Sequence, residues 1–112
     1  MNTTVEVRND IGIVQISGSI DGTTVEALQQ VFDGQLEAGH VNLVADMSDV
    51  EYTSSAGLRV LLGTMKDARS RGGDLRLVAP RRDVLRVLQL SGFTGILKIF
   101  DTVDDSVDGF GT

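Results

Sequence analysis

Three consecutive hydroxyls, Thr53, Ser54 and Ser55, followed by the small pair Ala56-Gly57, are the residues of this sequence best suited to chemistry. A serine hydroxyl can cap a helix, act as a nucleophile or accept a phosphate, and its neighbours decide which. Nucleophilic use needs a base. The only histidine, His40, stands between a helical and a strand-like stretch, where an isolated ring reads as a surface residue. The Gly-x-Ser-x-Gly elbow is absent because Thr53 occupies its first glycine position. No glycine-rich loop ends in Lys-Ser/Thr, so NTP hydrolysis also lacks its machinery. The reading is therefore not an enzyme. A cap needs a single hydroxyl, yet three stand in a row, and Ala56-Gly57 leaves the backbone open to a close visitor. The N–H groups and partial positive charge of a helix start accommodate a phosphate, which adds nearly two negative charges to the surface around it. A serine here can be a switch.

The elements that must hold these hydroxyls are legible on both sides. Residues 41–46 (Val-Asn-Leu-Val-Ala-Asp) read as a buried strand, followed by a loop over 47–53. Beyond the serines, Leu58, Leu61, Leu62 and Met65 recur at helical spacing, with Arg59, Lys66 and Asp67 between them, and Gly72-Gly73 stops that helix. Upstream, Val5 and Val7, then Ile11, Ile13 and Ile16, alternate around an Asn9-Asp10 turn and predict an antiparallel hairpin. Gly18-Ser19-Ile20-Asp21-Gly22 reads as a loop, Thr23 or Thr24 as the cap of a first helix with Leu28, Phe32 and Leu36 on its apolar stripe, and Gly39 as its stop. Downstream come a strand over 75–79, a helix from Asp83 with Val84, Val87 and Leu88 facing inward, a strand over 96–100 and a terminal helical turn or two within 103–110. The order predicts an α/β fold: a mixed sheet of four to five strands with helices packed mainly on one face.

Composition narrows the function. At 112 residues the whole chain, 1–112, reads as one domain with its core at about 4–108. It has no cysteine, which excludes disulfides and thiol chemistry, and nothing calls for a metal or another cofactor. A net charge of −6 with dispersed basic residues argues against nucleic acid. No apolar run approaches a membrane span and the N-terminus is no signal peptide. The expectation is a cytoplasmic protein without membrane contact and, with no exposed apolar patch evident, a monomer when free.

Asp46-Met47-Ser48-Asp49-Val50-Glu51-Tyr52 followed by Ser54-Ser55-Ala56-Gly57-Leu58-Arg59 resembles the signature of the STAS domain. That domain is shared by bacterial anti-sigma factor antagonists and the cytoplasmic tails of sulfate transporters. The Gly18-Ser19-Ile20-Asp21 loop, the Gly73-Asp74-Leu75-Arg76-Leu77 strand and the Val87-to-Phe93 stretch fall where the family has equivalents, so the likeness covers nearly the whole chain. The resemblance implies partner switching. The unphosphorylated protein binds a serine kinase that otherwise sequesters a sigma factor or another target; the kinase phosphorylates it with ATP, and a PP2C-type phosphatase restores it.

Residue by residue, the acceptor of sporulation-type members falls on Ala56, which has no hydroxyl. Members reading Ser-Ser-Ala-Gly-Leu use the serine two before the glycine, which is Ser55. The family's aspartate before the acceptor pair is replaced by Ser54, which makes Ser54 the runner-up. Ser19, Asp21, Thr53, Ser54, Ala56, Gly57 and Arg59 are the implied partner-binding positions. Asp21 orients the acceptor hydroxyl, meets a basic group of the kinase, or merely makes an Asx-type turn beside Gly22. Asp46 is expected to brace the acceptor loop. Arg59 either reaches the partner or the phosphate, or lies on a solvated helix face. The alternative within the same family is an accessory subunit of a lipid-transport ATPase or a membrane transporter, which acts by docking alone.

Overall fold

Asn9 and Asp10 both adopt left-handed backbone angles (φ 54° and 63°), the geometry a two-residue hairpin turn demands. They join β1 (Asn2–Arg8) to β2 (Ile11–Ile20) in antiparallel register, Arg8 opposite Ile11. From there strand and helix alternate in this computed structural model, which describes residues 1–111. The order continues α1 (Val25–Glu37), β3 (Asn42–Thr53), α2 (Ser55–Ser70), β4 (Asp74–Val78), α3 (Arg82–Leu90), a short 3-10 turn (Phe93–Gly95), β5 (Ile99–Phe100) and α4 (Val103–Phe110). The sheet runs β1-β2-β3-β4-β5, and every neighbour after the hairpin is parallel.

Side chains alternate across the sheet, so β2, β3, β4 and β5 each feed two cores. Leu43, Ala45 and Met47 of β3 and Leu75 and Leu77 of β4 point to the larger core, where α1, α2 and α3 contribute Phe32, Leu61 and Leu88. Val44 and Val78 point the other way, with Ile11 and Ile13, and meet Val107 of α4. The expected arrangement of helices mainly on one face therefore holds, with α4 alone on the reverse side. Arg76, only 9% exposed, anchors that helix: its guanidinium lies 3.8 Å from the Phe110 ring centre and pairs with the buried Asp74 at 3.4 Å.

Four local readings need correction. The loop expected over 47–53 is strand, because β3 runs on to Thr53 and pairs with residues 17–20, which the glycine and serine of the Gly18-Ser19 stretch had marked as loop. Two register shifts absorb the mismatch: Asp46 to Asp49 spans three steps where Gln15 to Ser17 spans two, and Val50 to Tyr52 spans two where Gly18 to Ser19 spans one. The last strand shrinks to two residues because the N–H groups of Ile96 and Leu97 turn back to the Phe93 carbonyl. Thr24 occupies the N-cap position of α1, yet its hydroxyl accepts from the Asp21 N–H (2.9 Å) and donates to the Ser19 carbonyl (3.1 Å) rather than capping the helix. In α3, Val84 and Leu88 are buried as expected, but Val87 faces outward.

Candidate functional site

The three hydroxyls take three different roles. Thr53 closes β3 opposite Ile20 and is buried, its hydroxyl donating to the Ser54 carbonyl at 3.3 Å. The Ser54 N–H then bonds the Ile20 carbonyl (2.8 Å), which holds Ser54 extended at φ −80°, ψ 172°. From that position its side-chain oxygen accepts the Gly57 N–H at 3.2 Å, and its carbonyl accepts the Leu58 N–H at 3.1 Å. Ser54 is thus the N-cap of α2. Ser55 begins the helix, exposed, and its hydroxyl has no partner among the described residues. The N–H groups of Ser55 and Ala56 are the two first-turn donors that the cap leaves open.

Gly57 explains how closely this start sits on the sheet. A Cβ there would lie 2.7 Å from Ile20 Cγ2 and closer still to the Thr53 hydroxyl. The first turn of α2 therefore rests directly on the ends of β2 and β3, with Ala56 half-buried beside it. Arg59, exposed and without a hydrogen-bonding or ionic partner among the described residues, stands one turn after Ser55 on the same helix face. Replacing Ser54 with alanine removes the cap and is expected to lower unfolding stability by about 1 kcal/mol. Chemical denaturation checks this; an unchanged midpoint would mean the cap contributes nothing.

Of the readings open for Asp21, the structure shows the turn. Its carboxylate accepts from both the N–H (2.9 Å) and the hydroxyl (2.6 Å) of Thr23, and these two bonds hold its pKa below the ordinary 3.8. Ser19, half-buried, contributes its carbonyl to the same turn through Thr24. Asp46 braces the bulge before the site as expected, accepting from the N–H (3.1 Å) and hydroxyl (2.8 Å) of Ser48.

One part of the surface escaped the sequence. Tyr52 (55% exposed) and Val87 (39%) line a shallow hollow between the end of β3 and α3, rimmed by Glu51 and Asp83, and Leu90 continues the exposed strip along α3. The expectation of no exposed apolar patch is revised accordingly. Val87 sits one position off the buried Val84–Leu88 stripe, so its outward direction follows from helical phase once the boundary of α3 is known. Tyr52 gives no such signal, because the Ser, Asp and Glu residues around it read as loop.

The STAS domain model matches residues 2–106 of the chain. Among curated relatives, the anti-sigma-B factor antagonist of Bacillus subtilis is 33% identical over 102 residues, covering 88% of this chain and 92% of that protein. Among solved structures, an anti-sigma factor antagonist from Mycobacterium paratuberculosis superposes with a TM-score of 0.89 at 28% identity, covering 99% and 94% of the two chains. The fold is also that of SpoIIAA, known in unphosphorylated form (TM-score 0.84, 21% identity, 96% and 95% covered) and in phosphorylated form (0.77, 20%, 96% and 98%). By family match and relatives together, with the hydroxyl-bearing helix start at its centre, this chain belongs to the STAS domain family.

Proposed function

We propose that the protein is an anti-sigma factor antagonist that works by partner switching, with Ser55 as its phosphate acceptor. The carrying observation is the division of labour among the three hydroxyls: Thr53 is buried, Ser54 is committed to the cap, and Ser55 alone is exposed and unbonded. In the unmodified state the helix start, the Asp21–Thr24 turn and the Tyr52–Val87 strip offer a continuous surface to a serine kinase that is also the anti-sigma factor. The Ser55 oxygen attacks the terminal phosphorus of ATP held by that kinase. Its proton passes to a base on the kinase, and ADP departs. A PP2C-type phosphatase hydrolyses the phosphoester with water, returning the hydroxyl and inorganic phosphate.

Phosphate on Ser55 suits the fold because the open N–H groups of Ser55 and Ala56 and the positive end of α2 lie beside it, with Arg59 one turn away. Phosphate on Ser54 would instead displace the bond to Gly57 that starts the helix. This reading makes the protein a substrate and binding module of the cytoplasm. The names of its relatives favour it over the docking subunit of a transporter.

The direct test is intact mass and peptide mapping after incubation with ATP and an anti-sigma-factor serine kinase from the same organism. One phosphate is expected, on Ser55, retained in Ser54→Ala and lost in Ser55→Ala. A phosphate mapped to Ser54, or none alongside stable binding to a transporter subunit, overturns the assignment.

A further inference from the structure

The end of the molecule remote from Ser55 carries an open groove of about 890 Å³ between α3 and β5. Its lining holds two cations, Arg69 and Lys98, and no carboxylate, in a chain with 16 acidic and 10 basic residues. Between the cations lie Leu85, Ile96, Ile99 and Phe100, with Ile96 43% exposed.

Four details give this groove a preference. Arg69 is already ordered, donating to Asp74 and to the Ile96 carbonyl, both at 2.8 Å, so little rotamer freedom remains to be lost on binding. Asp74 also faces Arg76, so its one carboxylate is shared by two guanidiniums. Lys98 is exposed, and its ammonium has no partner among the described residues. The sheet also ends at β5. Leu77 and Ala79 donate to the carbonyls of Lys98 and Phe100, which leaves the N–H and carbonyl of Ile99, between them, turned away from β4.

From this we infer that the α3–β5 groove is a second docking site, for a short acidic peptide segment of a partner protein that carries aliphatic or aromatic side chains between its carboxylates. Its carboxylates meet Lys98 and Arg69, its apolar side chains cover Ile96, Leu85 and Phe100, and its backbone can bond Ile99 as an added strand. A long polyanion or an anionic membrane is the poorer occupant, because the net charge of −6 repels it beyond the two groove cations. Ser55 and Arg69 are fourteen residues apart on α2, about 21 Å along the axis and beyond the screening length of physiological salt. Direct electrostatic coupling between the groove and a phosphate on Ser55 is therefore screened, and peptide binding is expected to be insensitive to the state of Ser55.

The test uses the unphosphorylated full chain and no kinase, so its outcome is separate from that of the switch. Peptides selected on the immobilised protein from a phage-displayed random library are labelled and titrated by fluorescence anisotropy. The selected sequences are expected to combine Asp or Glu with large apolar residues. Lys98→Glu and Ile96→Asp, both at exposed positions, are expected to weaken them about tenfold or more, and Ser55→Asp by less than about twofold. Backbone amide shifts in the unsubstituted protein should move at residues 96–100 and in α3. Selection of acid-free or basic sequences overturns the proposal. So does equal binding to the charge-reversed protein, shifts centred on Tyr52, or binding to phosphatidylserine vesicles in place of peptide.

Discussion

A phosphate on Ser55 is expected to lower affinity for the anti-sigma partner by about a hundredfold, while the melting temperature of the free protein changes by only a few degrees. The two halves of this expectation have separate causes. Inside the free protein, the added charge sits at the start of a sixteen-residue helix whose first two N–H groups are open, so the phosphate meets favourable local dipoles and displaces nothing. At the interface the same group brings nearly two negative charges onto a surface that already carries Asp21 and Glu51 near the site. A partner shaped to the unmodified helix start must strip water from the phosphate or withdraw, and an uncompensated buried charge costs roughly 3 kcal/mol, which is the hundredfold loss. Titration calorimetry on the phosphorylated and unphosphorylated proteins reads the affinity, and a thermal melt reads the stability. Loss of binding accompanied by a melt lowered far beyond a few degrees would mean that the phosphate acts by disrupting the fold. Unchanged binding would remove Ser55 from the switch. Ser55→Asp should move in the same direction by a smaller amount, because a single carboxylate carries less charge.

Gly73→Ala is expected to destabilise the protein by about 3 kcal/mol. The helix α2 ends with Gly72 in the left-handed region (φ 90°), where its N–H bonds the Arg69 carbonyl at 3.1 Å and the Gly73 N–H bonds the Ala68 carbonyl at 2.9 Å. This reversal delivers the chain straight into β4, and the next residue, Asp74, makes the first rung to the Val41 carbonyl at 3.1 Å. A Cβ on Gly73 would fall on that carbonyl group, which is backbone and has no rotamer by which to move aside. The clash has to be relieved by shifting the start of β4. That shift strains the Asp74 rung and the buried carboxylate that Arg69 and Arg76 share. Urea unfolding measures the cost. A loss below about 1 kcal/mol would show that the strand can move without consequence, contrary to this packing.

Some of this was readable from residue types alone. Asn9-Asp10 marks its turn because few residues tolerate two left-handed positions in succession, and Gly72-Gly73 marks a helix stop for a related reason. The apolar stripes of α1 and α2 are local periodicities, so Leu28, Phe32, Leu61 and Met65 could be placed in the core before the fold was known. Failures cluster where pairing with a distant segment overrides local composition. Residues 47–53 carry Ser, Asp and Glu and look like loop, yet they are strand because residues 17–20 pair with them across two bulges. Val87 looked apolar enough for the core, but the phase of α3 on the sheet turns it out beside Tyr52.

The sequence by itself determined an α/β chain with a hydroxyl-rich helix start at its centre, and the family resemblance makes Ser55, with Ser54 second, the expected acceptor. Periodicity and turn residues are properties of neighbours, and neighbours are what a sequence displays. Which hydroxyl is free was decided only in three dimensions. The bond from the Ser54 N–H to the Ile20 carbonyl spans more than thirty residues of chain, and it sets the extended angles from which Ser54 can cap α2. Ser55 is left outside that network because the last rung of the β2–β3 pairing falls one residue before it.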